Sequence, residues 1–218
     1  FYFISGSGNK KTFSKTNLSK ISKSLAQEQK KYRIFLCGGD TTFSNKLSFS
    51  ITSVGYAKKI VYRNKAKLND DIYVTGNLGD SFTGLQILKK RLKVRKKIKH
   101  YFVKKYFLPD IQINLTKQLL NFANCSIDIS DGIIADLEKM INKQNLSYTI
   151  NENKIPISKN LKILIKSKKI KKLNMISNGD DYQILFTANC SKRRIISNIS
   201  KNLSVKITKI GKINSSSK

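Results

Sequence analysis

Short apolar runs alternate with segments of helical period along the whole chain, and that alternation is the strongest constraint on the fold. Ile72-Tyr73-Val74-Thr75, Ser126-Ile127-Asp128-Ile129 and Tyr182 to Thr187 are too short for helices and adjoin Gly, Asp or Asn, so they read as strands. Further strands are expected at 1–5, 32–37, 47–52, 147–150 and 203–210. Leu18, Ile21 and Leu25 recur at helical spacing across 16–30, with Thr16 or Asn17 as N-cap. Ile133, Leu137, Met140 and Ile141 do the same across 133–141. Helices are also expected from the Gly76–Ser81 turn to about Leu88, and over 96–107, 109–122, 158–167 and 191–201. Interleaved in this way, the elements imply an α/β or α+β class with mixed sheets and no internal repeat.

The charge pattern narrows the chemistry. The chain of 218 residues carries 43 Lys and Arg against 13 Asp and Glu, a formal net charge of +30. Only six of the basic residues are Arg, and the Lys are spread along the chain, with runs at 89–99 and 166–172 that read as solvated helix faces. Specific nucleic-acid readers concentrate Arg, so the charge implies no more than non-specific attraction to polyanions. No apolar run approaches a membrane span. Cys37, Cys125 and Cys190 have neither metal nor disulfide spacing, which fits a reducing cytosol and buried thiols. The single histidine, His100, sits among lysines. A His-dependent triad or a zinc site is thereby excluded.

Most of the few acids are packed into motifs with Gly. Gly38-Gly39-Asp40-Thr41-Thr42 follows an apolar strand and offers backbone N–H groups, a carboxylate and hydroxyls to phosphate and metal; it can equally be a plain turn. Asp128 and Asp131 bracket a strand-to-helix turn that also holds Ser130 and Gly132. The two carboxylates can converge on one hard cation, or Asp131 can simply cap the helix starting at Ile133. Gly76-Asn77-Leu78-Gly79-Asp80-Ser81 lacks both the Walker and the dinucleotide spacing. Asn178-Gly179-Asp180-Asp181-Tyr182 places paired carboxylates at a strand entrance, where they can bind a metal or a cationic group, or form a turn.

The order and spacing of these motifs resemble the thiamine-monophosphate kinase family of the aminoimidazole ribonucleotide synthetase superfamily. The resemblance rests on Cys37-Gly38-Gly39-Asp40-Thr41-Thr42, Arg63, Ala66-Lys67-Leu68-Asn69-Asp70-Asp71, Gly79-Asp80-Ser81, Ile127-Asp128-Ile129-Ser130-Asp131-Gly132 with Asp136, and Gly179-Asp180-Asp181-Tyr182. It implies an α+β architecture of two domains: residues 1–60 as the end of an ATP-binding N-terminal domain, and 61–218 as a C-terminal α/β domain with a mixed sheet. It also implies ATP contacts at Gly39, Asp40, Arg63 and Ser130, and Mg²⁺ ligands at Asp40, Asp128 and Asp131. Asp180 falls where the family has a substrate-binding Glu, one methylene longer. The implied reaction is Mg²⁺-assisted transfer of the γ-phosphoryl of ATP to thiamine monophosphate in a cytoplasmic homodimer. A sister enzyme of the superfamily with another acceptor, or a non-enzymatic polyanion binder, is the alternative.

The chain opens on Phe rather than Met and reads as a piece of a longer protein. Taken alone, residues 1–218 are expected to bind Mg·ATP poorly and to form no thiamine diphosphate. Binding to random DNA is expected to be weak, indifferent to sequence and lost steeply with salt. Tight binding to a preferred sequence in about 0.3 M salt would show that the charge has a dedicated partner.

Overall fold

The computed structural model describes residues 1–168 and 170–216, so Lys169 of the 166–172 lysine run lies outside the described residues. The chain divides into two compact units, Phe1–Lys58 and Lys59–Lys218.

The first unit is a three-stranded sheet with one helix. Strand β1 (Tyr2–Gly8) is central; β2 (Leu36–Phe43) pairs with it in parallel and β3 (Ser48–Ser53) antiparallel. Helix α1 (Lys15–Tyr32) supplies the crossover that a parallel pair requires. Its N-cap is Ser14, not Thr16 or Asn17: the Ser14 hydroxyl accepts the Asn17 N–H at 3.3 Å. The strand expected to stop at Cys37 instead begins at Leu36 and runs straight through Gly38 and Gly39. A Cβ on Gly39 would lie 1.8 Å from the Ile4 carbonyl oxygen, so this glycine serves a close approach of two strands rather than a turn. Every residue of β2 and β3 is exposed, among them Phe43, Phe49 and Ile51. Both edges of this sheet are open, and apolar side chains lie on it uncovered.

The second unit is built on a five-stranded sheet in the order β5-β7-β4-β8-β6. Its strands are β4 (Asp71–Thr75), β5 (Cys125–Asp128), β6 (Leu146–Ile150), β7 (Ile184–Ala188) and β8 (Ile207–Ser215). Every pairing is antiparallel. The mixed sheet expected here is therefore found in the first unit. Spatial order rather than local pattern sets strand direction, and each helix of this unit returns the chain to a non-sequential neighbour.

Period-two alternation sorts the side chains of this sheet between two cores. Ile72, Val74 and Leu185 pack with Ile133, Leu137 and Met140 of α5 (Ile133–Ile141). Tyr73 and Phe186 point the other way, stacked at 5.1 Å, and pack with Phe122 and with Ile196 of α8 (Arg193–Asn202). All of β4 and β7 is buried, which is why both read as unbroken apolar runs. A third cluster joins α2 (Asp80–Leu88), α3 (Lys96–Phe107), α6 (Lys159–Lys168) and α7 (Lys172–Ile176) through Ile87, Phe102, Leu161 and Met175.

The helix expected over 109–122 breaks into α4 (Ile113–Thr116) and a single 3₁₀ turn at Leu119–Asn121. Its polar side chains bond locally instead: Thr116 Oγ1 donates to the Ile113 carbonyl, and Asn121 Nδ2 to Gln118 Oε1. Burial was expected for all three thiols, yet only Cys125 is buried; Cys37 and Cys190 are exposed. Among the described residues no helix is long and apolar enough to cross a membrane.

Gly84 marks the crossing of α2 and α3. A Cβ there would lie 2.3 Å from the Phe102 carbonyl oxygen. In an open helix, Gly→Ala stabilises by about 1 kcal/mol. Here the contact reverses the sign, and Gly84→Ala is expected to cost about 1–3 kcal/mol in urea denaturation. Unchanged or increased stability would show that the two helices do not meet at this residue.

Candidate active site

The turn after β5 is organised by a carboxylate that local pattern assigns to the core. Asp136 sits between Ile133 and Met140 on the apolar stripe of α5 and is 0% exposed. Its Oδ2 accepts the N–H groups of Ser130, Asp131 and Gly132 at 3.0, 3.1 and 3.2 Å. Three successive donors at the helix N-terminus are thus satisfied by one buried oxygen, and the capping role open to Asp131 is taken by Asp136. Its other oxygen receives Lys139 Nζ at 2.7 Å, and Lys139 also pairs with Asp131. Freed from capping, Asp131 is 63% exposed. Asp128, expected within a buried strand, is exposed at the end of β5, an edge strand of the sheet.

The second motif loop lies directly against the first. Asp180 N–H donates to the Ser130 carbonyl at 3.0 Å and Tyr182 N–H to the Ile129 carbonyl at 2.9 Å; Ile129 N–H returns to the Gln183 carbonyl at 2.8 Å. The approach leaves no room for side chains at two points. A Cβ on Gly179 would lie 1.6 Å from the Ser130 carbonyl oxygen, and one on Gly132, at φ +114°, would lie 2.1 Å from that of Ser177. Asp180 and Tyr182 are both left-handed, at φ 66° and 50°. Asp180 is half-buried and Tyr182 exposed.

Asp181, between them, points inward and is only 4% exposed. Its carboxylate accepts the N–H groups of Gly79 at 2.6 Å and Ser81 at 3.2 Å, so it caps α2 from a distant segment. Burial pushes its pKa up to about 7 in spite of those two donors. The neighbouring Asp80 is also raised by burial, although Ser158 Oγ and Tyr101 Oη each donate to it at 2.7 Å.

The remaining expected site residues are Arg63, Gly39 and Asp40. Arg63 is exposed and shares with Asp128 a hollow of about 540 Å³ walled by Ile60, Leu119 and Ile184. Gly39 and Asp40 are on β2 of the first unit, where Asp40 Oδ1 accepts the N–H of Thr41 at 2.7 Å. Among the described residues no three Cys, His, Asp or Glu side chains form a group able to hold a metal ion. Asp131 is paired with Lys139, and Mg²⁺ commonly takes only one or two carboxylates, keeping water and phosphate oxygens as its other ligands.

No family model matches the chain. It is 39% identical over 202 residues to the thiamine-monophosphate kinase of Buchnera aphidicola subsp. Acyrthosiphon pisum, a match covering 90% of this chain and 61% of that protein. The thiamine monophosphate kinase of Aquifex aeolicus has the same fold, with a TM-score of 0.86 at 25% identity over 98% of this chain and 70% of that one. A structure of AaThiL complexed with AMPPCP and TMP also gives 0.86 at 25% identity, over 98% of this chain and 67% of that one. The chain spans about three-fifths of the length of the first curated relatives it matches.

The raised pKa of Asp181 has a defined effect on stability. Between about pH 4 and 7 the folded protein holds a proton at Asp181 that the unfolded chain has released. Stability is expected to fall as pH rises through that window and to level off above it, with Asp80 adding in the same direction. Asp181→Asn is expected to flatten the decline in melting temperature. An equal decline in wild type and variant would mean that Asp181 ionises normally.

Proposed function

We infer that this chain, a relative of the thiamine-monophosphate kinases, serves the ATP-dependent phosphorylation of thiamine monophosphate to thiamine diphosphate. The observation that carries this reading is the 39% identity over 202 residues, in a chain whose 128–132 and 178–183 motif loops are interlocked. In this reading residues 1–60 belong to an ATP-binding domain and 61–218 form the C-terminal domain. The open, apolar strands of the first unit suit a homodimer.

The chemistry fits the side chains present. The acceptor is a phosphate monoester whose second ionisation lies near pH 6, so it is already an oxyanion at neutral pH and needs no general base. The single histidine, His100, is exposed on α3. What remains is alignment and charge neutralisation, which dominate phosphoryl transfer. Gly39, Asp40, Arg63 and Ser130 would contact ATP, and Asp180 the thiamine monophosphate. Asp40 in the first unit, and Asp128 and Asp131 in the second, are the Mg²⁺ ligands of this reading, and the ion would supply neutralisation of phosphate charge. Asp136 keeps the backbone of Ser130 and Asp131 fixed, so that an exposed Asp131 side chain need not be recruited from a mobile loop.

Asp131→Asn tests this assignment in the protein as its gene encodes it. Thiamine diphosphate formation is expected to fall by about a hundredfold or more, with little change in melting temperature, because Asp136 rather than Asp131 secures the turn. A lower melting temperature with turnover intact would make Asp131 structural. Absence of thiamine diphosphate from the wild-type reaction would overturn the function itself.

A further inference from the structure

Asp180, the residue read as the thiamine monophosphate contact, is left-handed at φ 66°, a conformation that Asp tolerates better than most side chains. Tyr182, also left-handed at φ 50°, has no such tolerance and carries a cost of about 1 kcal/mol or more. Such a backbone persists only where its surroundings over-determine it. The Ser130 and Ile129 carbonyls fix one side of the loop. On the opposite side the anchor is the Asp181 carboxylate, buried and bound to the Gly79 and Ser81 N–H groups at the start of α2.

We propose that Asp181 is the positioning residue for Asp180: its clamp on α2 holds the left-handed turn and so sets how far the Asp180 carboxylate reaches toward thiamine monophosphate. The inference rests on the reading of Asp180 given above. It has particular weight here because an Asp side chain is short, so its reach depends on backbone placement. The clamp acts through backbone N–H groups, and the charges around it are few. Asp80 on α2, Lys105 on α3, and Asp110 after it line the same small cleft, with Lys105 paired to Asp110, and Asp180 adjoins it in sequence. Among the described residues Asp181 has no ion pair, in keeping with its raised pKa.

Steady-state kinetics and amide hydrogen exchange on the protein as its gene encodes it, in wild-type, Asp181→Asn and Asp181→Glu forms, test the proposal. Asp181→Asn is expected to raise the KM for thiamine monophosphate by about tenfold while changing that for ATP less than about twofold. The wild-type KM for thiamine monophosphate should vary with pH around neutrality beyond what the ionisation of the substrate phosphate causes, and the Asn variant should lose that excess. Exchange at the Asp180 and Tyr182 amides should quicken in both variants, a readout that needs no turnover. Equal changes in both KM values, or unchanged protection of those two amides, would overturn the clamp. A wild type inactive on thiamine monophosphate would overturn the functional reading, while exchange would still decide whether Asp181 holds the loop.

Discussion

One buried carboxylate oxygen sustains the geometry of the candidate site. Asp136 Oδ2 accepts three consecutive N–H groups, a concentration of donors that compensates for taking a carboxylate out of water. Without it, the three amides at the helix start would lose their acceptor, and the Ser130 carbonyl would have no fixed direction. With it, Ser130 presents that carbonyl to Asp180, and the 178–183 loop is built on the result. The glycines at 132 and 179 are consequences of the same packing, since any side chain there would collide with backbone.

The sheet supplies the frame that makes this possible. Because β4 and β7 are buried on both faces, β5 is held at the edge of the sheet with its end free, and Asp128 faces outward. The antiparallel pairing of β5 with β7 brings the end of one strand beside the start of the other, Asp128 opposite Ile184. The turn leaving β5 and the loop entering β7 must therefore lie side by side. Two acid-bearing motifs some fifty residues apart in sequence meet for this topological reason.

Much of this arrangement was legible in the sequence. The 3.6-residue period placed α5 at the bounds observed, since it has a strong apolar stripe, and the heavily charged α3, which buries Phe102 alone, also keeps the bounds expected. The motifs carrying Asp128, Ser130, Asp131 and Asp180 were visible as acids beside glycine. Strand direction in the large sheet was not, because pairing is decided between segments far apart. The roles of Asp136 and Asp181 were equally hidden, as both act on backbone amides, one a few residues upstream and one about a hundred residues away. The only local sign was an Asp at a core-facing position of α5, where an apolar residue fits the period. At Gly38-Gly39 the sequence suggested a turn because glycine permits both turns and close strand approach, and only the partner strand distinguishes them.

The most direct test of the interlock is native-state hydrogen exchange across residues 129–132 and 178–183 in wild type and Asp136→Asn. If Asp136 secures both loops, the amides of Ser130, Asp131 and Gly132 will lose protection in the variant, and those of Asp180 and Tyr182 will lose it with them. Among the described residues the second pair shares no hydrogen bond with Asp136, so its response reports coupling through the Ser130 and Ile129 carbonyls. Full protection at Asp180 and Tyr182 alongside a loosened 130–132 turn would contradict the account, because the two loops would then stand independently.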